Sequence, residues 1–305
     1  MGAGRWHQAD WDDYARRNVQ GRSREDVFGA RRLDPAFDPA LIHSRESRDG
    51  EDNPRSTPII LASDVTGSMG FIAHSLMSHG LNTLATQIYE RRPVSDPHVM
   101  VMAVGDARTD AAPLQVTQFE ADIRLADQVR RLWLEGGGGG NDGESYSAAH
   151  AFAGLRTDVD SIRLRGKKGY LFTIGDEPIH DGLRRNELER IFGQRFERGL
   201  SARECLSLAE RSYEVFHVVI MEGYAGTGLS TVLRSWERLL PGRILILQDH
   251  RRLAETVVSA IQVAEGADPA SVAGSWGADA GPVVARAIRD LRPRREAGLM
   301  QWFGR

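Results

Sequence analysis

The stretch PIILASDVTGSMGF, residues 58–71, runs from an unbroken apolar segment into an acid, two hydroxyls and two glycines. The apolar part reads as a strand covered on both faces, and the polar part as the turn after it. Asp64, Thr66 and Ser68 stand at positions i, i+2 and i+4. That spacing gathers three oxygens around something small, and Gly67 lets the backbone turn tightly between them. A hard divalent cation suits such a cluster, because magnesium takes oxygen ligands only and is commonly held by one or two carboxylates.

Working outward, short apolar runs alternate with longer amphipathic ones. HVMVMAV (98–104), LQVTQF (114–119), GYLFTIG (169–175), VFHVVIM (215–221) and RILILQ (243–248) are bounded by Gly, Pro, Asp or charge clusters and read as further strands. In residues 70–92, Ile72, Leu76, Gly80, Leu84 and Ile88 recur every four residues and predict one apolar or small-residue stripe on a helix. Helices are also expected over 121–135, 144–156, 250–264 and 282–292, whereas GYAGTGLS (223–230) lacks the lysine of a phosphate loop and reads as a plain loop. The pattern predicts a doubly wound, mainly parallel α/β sheet flanked by helices, with its binding site beyond the carboxyl ends of the strands.

Two further loops fall on that edge, GGGGGNDGES (136–145) and GDEPIHDG (175–182). Two buried carboxylates about 5 Å apart repel by roughly 3 kcal/mol at an effective dielectric of 20, and a cation between them reverses the sign. Asp64, Asp176 and the two hydroxyls therefore form a plausible partial shell for magnesium.

The pattern DxTxS after a first strand, a Gly-rich loop before a helix and an Asp after a later strand resembles the von Willebrand factor A domain with its metal-ion-dependent adhesion site, over residues 57–265. The resemblance implies a Rossmann-like sheet of six strands whose antiparallel edge strand is LQVTQF. It implies that Thr66 and Ser68 bind magnesium or manganese directly, that Asp64 and Asp176 do so directly or through water, and that an Asp or Glu of a protein partner fills the remaining position. The threonine that the family places in the Gly-rich loop falls on Gly140 here, which leaves Asn141 or Asp142 to supply an oxygen. The motif GDEP is similar to that of intracellular bacterial members, which often work beside AAA+ ATPases or other products of neighbouring genes in stress and conflict systems. The resemblance thus implies an adaptor or substrate-recruitment module, not an enzyme.

Other readings stand beside this one. DVTGS also resembles the DKTGT motif of haloacid-dehalogenase-like phosphotransferases, which implies Asp64 as nucleophile, Lys167 or Lys168 as the stabilising cation and GDEPIHD as the magnesium loop. Position 65 is Val, however, and a helix follows at once where that family needs a flap. Gly140 also leaves room for a scaffold with a vestigial metal site, and acids and hydroxyls at a strand-to-helix junction are common helix caps. His180 is the one nitrogen donor in the three loops and no Cys is near, so hard ions are favoured over zinc.

Composition sets the outer bounds. With 305 residues, 41% of them hydrophobic, and a net charge of −3, the chain has the make-up of a soluble globular protein and not of a dedicated nucleic-acid binder. Its lysines are Lys167 and Lys168 alone, against many arginines. No apolar run reaches the roughly 18 residues of a membrane span, and the first residues lack a signal peptide's apolar core, so a cytoplasmic location is expected. The lone Cys205 reads as packing. Residues 1–56 form a polar arm whose Trp6, Trp11, Tyr14 and Phe28 are expected to pack on the body or on a partner. Residues 266–305 add a helix and an apolar tail, with Leu299, Met300, Trp302 and Phe303 expected to dock on this body or in a partner's groove.

Overall fold

A computed structural model describes residues 4–75, 80–136 and 143–292, the side chain of Ser68 excepted. Its centre is a six-stranded sheet built from β1 (Thr57–Asp64), β2 (Pro97–Val104), β3 (Leu114–Val116), β4 (Gly169–Gly175), β5 (Tyr213–Ile220) and β6 (Ile244–Leu247). The spatial order is β6-β5-β4-β1-β2-β3, parallel throughout except for the antiparallel edge pair β2–β3. The chain is thus a mixed α/β protein of Rossmann-like kind, its sheet flanked by helices.

All eight residues of β1 and all eight of β2 are buried, as a parallel strand covered on both faces requires. Side chains alternate between the faces. Ile59 and Leu61 of β1 join one core with Val101, Phe172 and Val218; Ile60 and Ala62 join the other with Met100, Leu171 and Val219. The run LQVTQF stops as a strand at Val116 because side chains take over the ladder. Thr117 accepts the Val101 N–H on its hydroxyl, and the Gln118 N–H donates to Gln128 Oε1.

Helices α1 (Gln8–Asn18), α2 (Leu81–Arg91), α3 (Tyr146–Leu155), α4 (Ala225–Glu237), α5 (Leu253–Ala264) and α6 (Gly277–Ala287) supply most of the covering. In the stretch 70–92 the described parts are the helix Gly70–Ser75 and α2, with Ile72, Leu84 and Ile88 buried; Leu76 lies outside the described residues. The stretch 223–230 is not the loop that its glycines suggested, since α4 begins at Ala225. Gly226 and Gly228 cost about 1 kcal/mol each in helix propensity, but Val232 and Trp236, both fully buried on the second core, hold the helix down. Helix α6 likewise starts earlier than expected, with Pro282 inside it.

The polar arm contributes Trp11, Tyr14, Val27, Phe28 and Phe37 to the first core. Trp6 stacks on Trp11 at 5.6 Å and its indole N–H donates to Asn82 on α2. Cys205 is fully buried, and burial pushes its thiol up to about 12, consistent with packing and not reactivity. No helix among the described residues is long and apolar enough to cross a membrane. The tail with Leu299, Met300, Trp302 and Phe303 lies outside the described residues.

Candidate functional site

Asp64 closes β1 and Asp176 follows the last residue of β4; the two strands are parallel neighbours, with Ser63 paired to Ile174. Both carboxylates are fully buried at the carboxyl edge of the sheet. Asp64 Oδ1 accepts two hydrogen bonds of 2.7 Å from Thr66, one from its N–H and one from its hydroxyl. The Met69 N–H on Thr66 O and the Val65 N–H on Val104 O fix this turn in place. Ser68 sits in the 3-10 turn Gly67–Met69, its side chain outside the described part.

Tyr146, fully buried at the start of α3, points its hydroxyl at Asp64 Oδ2, 3.4 Å away. Gly175 makes the room, because a Cβ there would lie 1.8 Å from that hydroxyl oxygen. Asp176 Oδ2 accepts the Tyr224 N–H at 2.5 Å, just before α4. A helix amino end next to a carboxylate is favourable, and the helix that delivers it is the one the glycines concealed.

From the Gly-rich loop, residues 137–142 lie outside the described set, and with them Gly140, Asn141 and Asp142. The described end of that loop, Gly143 to Ser145, is zipped onto the loop after β4. The Glu144 N–H donates to Pro178 O and the His180 N–H to Glu144 O. Ser145 donates its hydroxyl to Asp106 Oδ1 and accepts the Ala107 N–H. The Asp106 N–H in turn donates to Asp110 Oδ2. His180 is buried with Nε2 3.3 Å from Asp106 Oδ1, a close approach that misses hydrogen-bond alignment. Sequence reasoning singled out none of Asp106, Asp110, Glu144 and Tyr146. The signals were present: VGDARTD follows β2 on the same edge, and Glu144 and Tyr146 stand at the end of the Gly-rich loop.

The electrostatics of this edge run one way. Burial pushes Asp64 well above the usual carboxylate range against the hydrogen bonds from Thr66, and the charges of Asp176 and Glu177 add to the rise. Glu144 is raised further, by burial first and then by Asp64, Glu177, Asp106 and Asp110. Tyr146 also meets the ring of His217 edge-on, and His217 stacks on Trp236 at 3.7 Å.

Lys167 and Lys168 are not brought to Asp64. They precede β4 at the opposite edge of the sheet, where Lys167 pairs with Glu265 at 2.9 Å. Among the described residues no group of three or more His, Cys, Asp or Glu side chains is arranged to hold a metal ion. A shell of two acids completed by hydroxyls and water, the kind the motif implies, contains fewer such side chains than that.

No family model matches the chain, and no curated protein matches it. Among solved structures it is similar to the pilus adhesin SpaC of Lactobacillus rhamnosus GG in its open conformation, at 9% identity over 72% of this chain and 31% of that one, with a TM-score of 0.46. It is also similar to proximal thread matrix protein 1 of the mussel byssus, at 10% identity over 68% of this chain and 47% of that one, with a TM-score of 0.40. The chain spans less than half the length of either, and at these scores neither likeness carries an argument.

Proposed function

We propose that this chain is an interaction module of the von Willebrand factor A kind, in which a bound magnesium or manganese ion captures an acidic residue of a protein partner. Asp64, Thr66 and Asp176 would hold the ion, with Ser68 and either Asn141 or Asp142 completing the shell. The ion would supply a fixed positive charge with one position left for an incoming carboxylate. The observation that carries this reading is the placement of two fully buried carboxylates at the carboxyl ends of adjacent parallel strands, with the Thr66 hydroxyl against one of them. Burying two acids side by side is unfavourable, and a divalent cation with oxygen ligands is the simplest counter-charge for them. The donor atoms present are oxygens, which fits a hard ion.

In this reading the protein is a cytoplasmic adaptor or recruitment subunit and not a catalyst, its partner presenting Asp or Glu, with an AAA+ ATPase or another neighbouring-gene product as the expected kind. The test is calorimetric titration of the chelator-treated protein with MgCl2 and with MnCl2. One saturating site is expected in the native chain and none in Asp64→Ala of unchanged circular dichroism. A native chain that takes up neither ion ends the proposal. Magnesium-dependent turnover of p-nitrophenyl phosphate would instead favour the phosphotransferase reading, against which the position of Lys167 and Lys168 speaks.

A further inference from the structure

Beyond Gly175 the chain leaves the sheet, and the loop that carries Asp176 is held by other elements. Helix α4 and the residue before it take three of its groups. The Tyr224 N–H donates to Asp176 Oδ2 at 2.5 Å, the Trp236 indole N–H donates to Glu177 O at 3.3 Å, and Ser235 Oγ accepts the Ile179 N–H at 3.3 Å. The end of the Gly-rich loop takes Pro178 O and the His180 N–H through the main chain of Glu144. Trp236 is fully buried, and its ring has a second set of neighbours. It stacks on His217 at 3.7 Å, and the Tyr146 ring lies 5.3 Å away, tilted at 58°. His217 is fixed in turn by Thr173 of β4, whose hydroxyl lies 2.9 Å from Nδ1. Tyr146 is the residue whose hydroxyl reaches Asp64 Oδ2. One side chain therefore touches the supports of both acids, its N–H the loop of Asp176 and its ring the tyrosine on Asp64. An indole suits this task, being large and rigid with a single polar handle that takes a partner when buried.

We infer that Trp236 is a positioning residue of the cation site, setting the separation of Asp64 and Asp176 through Tyr146 on one side and Glu177 on the other. The inference rests on the cation reading above and adds to it a basis for choosing between ions. Magnesium demands near-ideal octahedral geometry, whereas calcium accepts a larger and more flexible shell. A spacing fixed by a rigid ring favours the smaller ion, and a loosened one loses magnesium first. Residues that orient metal ligands without touching the metal are worth about 10-fold to 100-fold in affinity.

The experiment uses the full chain, freed of metal by a chelator, with MgCl2 and CaCl2 alone. Trp236→Phe keeps an aromatic ring against His217 and Tyr146 and removes the N–H. By calorimetry its magnesium affinity is expected to fall about tenfold and its calcium affinity less than about threefold, so that the ratio of the two drops. Ser235→Ala releases the Ile179 N–H from the same helix; it is expected to move the ratio in the same direction by a smaller factor, and it carries the test if Trp236→Phe does not fold. Val232→Ala changes a fully buried residue of α4 whose side chain makes none of these bonds. Its melting temperature is expected to fall with the ratio unchanged. A constant ratio in a folded Trp236→Phe, or in Ser235→Ala where that variant does not fold, overturns the inference and leaves the cation reading standing. A ratio that shifts as much in Val232→Ala as in Trp236→Phe also overturns it, since loss of helix packing alone then suffices. A native chain that takes up neither magnesium nor manganese removes both.

Discussion

The two ends of β1 and β4 each carry a cluster of acids, and the clusters are treated in opposite ways. Around the amino ends, Glu46, Asp49, Asp158 and Asp160 meet arginines. Arg48 bonds Asp158, reaches Asp160 at 3.0 Å and Glu46 at 3.1 Å; Arg163 reaches Asp160 at 2.6 Å; Arg165 bonds Asp49 and donates to Ser56 O. At the carboxyl ends, Asp64 accepts from the hydroxyls of Thr66 and Tyr146 and the Thr66 amide, and Asp176 accepts the Tyr224 amide. Burial acts to raise Asp49, Asp160, Asp64 and Glu144 alike. At Asp160 the bonds from Arg163, the Asp49 amide and Arg48 outweigh it and bring the carboxyl down to about 2, whereas Asp64 and Glu144 go up. Depth and counter-charge together set the direction: burial is the largest cause of the rise at Asp64 and Glu144, and the arginine and amide bonds prevail at Asp160. Arginine side chains meet the acids at the amino ends, whereas Arg190, at the other edge, donates to the main-chain oxygens of Ala107 and Asp110.

The strongest way to break the contrast is Asp64→Ala. Cation affinity is expected to drop more than 100-fold, about 2.7 kcal/mol, while the metal-free melting temperature holds or rises, because one of the mutually repelling acids is gone. Calorimetry and a thermal melt read the two effects. A lower metal-free melting temperature would mean that Asp64 is structural in the way Asp160 is.

Gly175→Ala drives a methyl into the Tyr146 hydroxyl and is expected to cost about 1–3 kcal/mol as overpacking, with weaker cation binding, since the hydroxyl is displaced from Asp64. Urea titration gives the first number, and magnesium titration the second. At the other end, Arg48→Ala strips Asp158 and Asp160 of a partner. The pair is only partly buried, so a loss of about 2 kcal/mol is expected, below that of a fully buried ion pair. Cation affinity should stay within about twofold. A large change in affinity would show that the two ends are coupled and not separate.

The smallest effect is in the pH profile of the urea midpoint. Asp160, lowered from 3.8 to about 2, contributes stability that is present above its ordinary value and lost as the pH falls towards 2. His150, which burial lowers from 6.5 to about 4, contributes in the same sense, with stability lost as the pH falls from 6.5 to 4. The raised acids Asp64 and Glu144 have the opposite sign: their contribution is complete below the ordinary carboxylate range and declines as the pH rises. Saturating magnesium should therefore lift the neutral and alkaline limb by about 1 kcal/mol or more and leave the acid limb alone. An equal lift at both ends would place the ion elsewhere.

How much of this could be read from the chain depends on which residues act locally. The six strands were legible because a parallel strand covered on both faces needs an apolar run, and residues 58–62 and 98–104 supply one. Helix α4 was not, because Gly226 and Gly228 lower its local propensity and only the burial of Val232 and Trp236 against the second core restores it. Asp64 and Asp176 could be singled out in the sequence because each ends or follows a strand. Glu144 was not, since its burial arises from main-chain bonds to Pro178 and His180, a contact between loops that no spacing announces.

The pairing that unites the site also dates it in the life of the chain. Ile59 of β1 lies against Tyr170 of β4, so the strand ends that carry Asp64 and Asp176 meet only after the whole intervening segment has closed a long loop. Such distant pairing comes late and slowly. A cation that needs both carboxylates therefore has nothing to bind in a half-folded chain and no part in assembling one. In the proposed reading it would act as a latch on the finished state: magnesium should lengthen the lifetime of the folded molecule in urea and leave the refolding rate where it was.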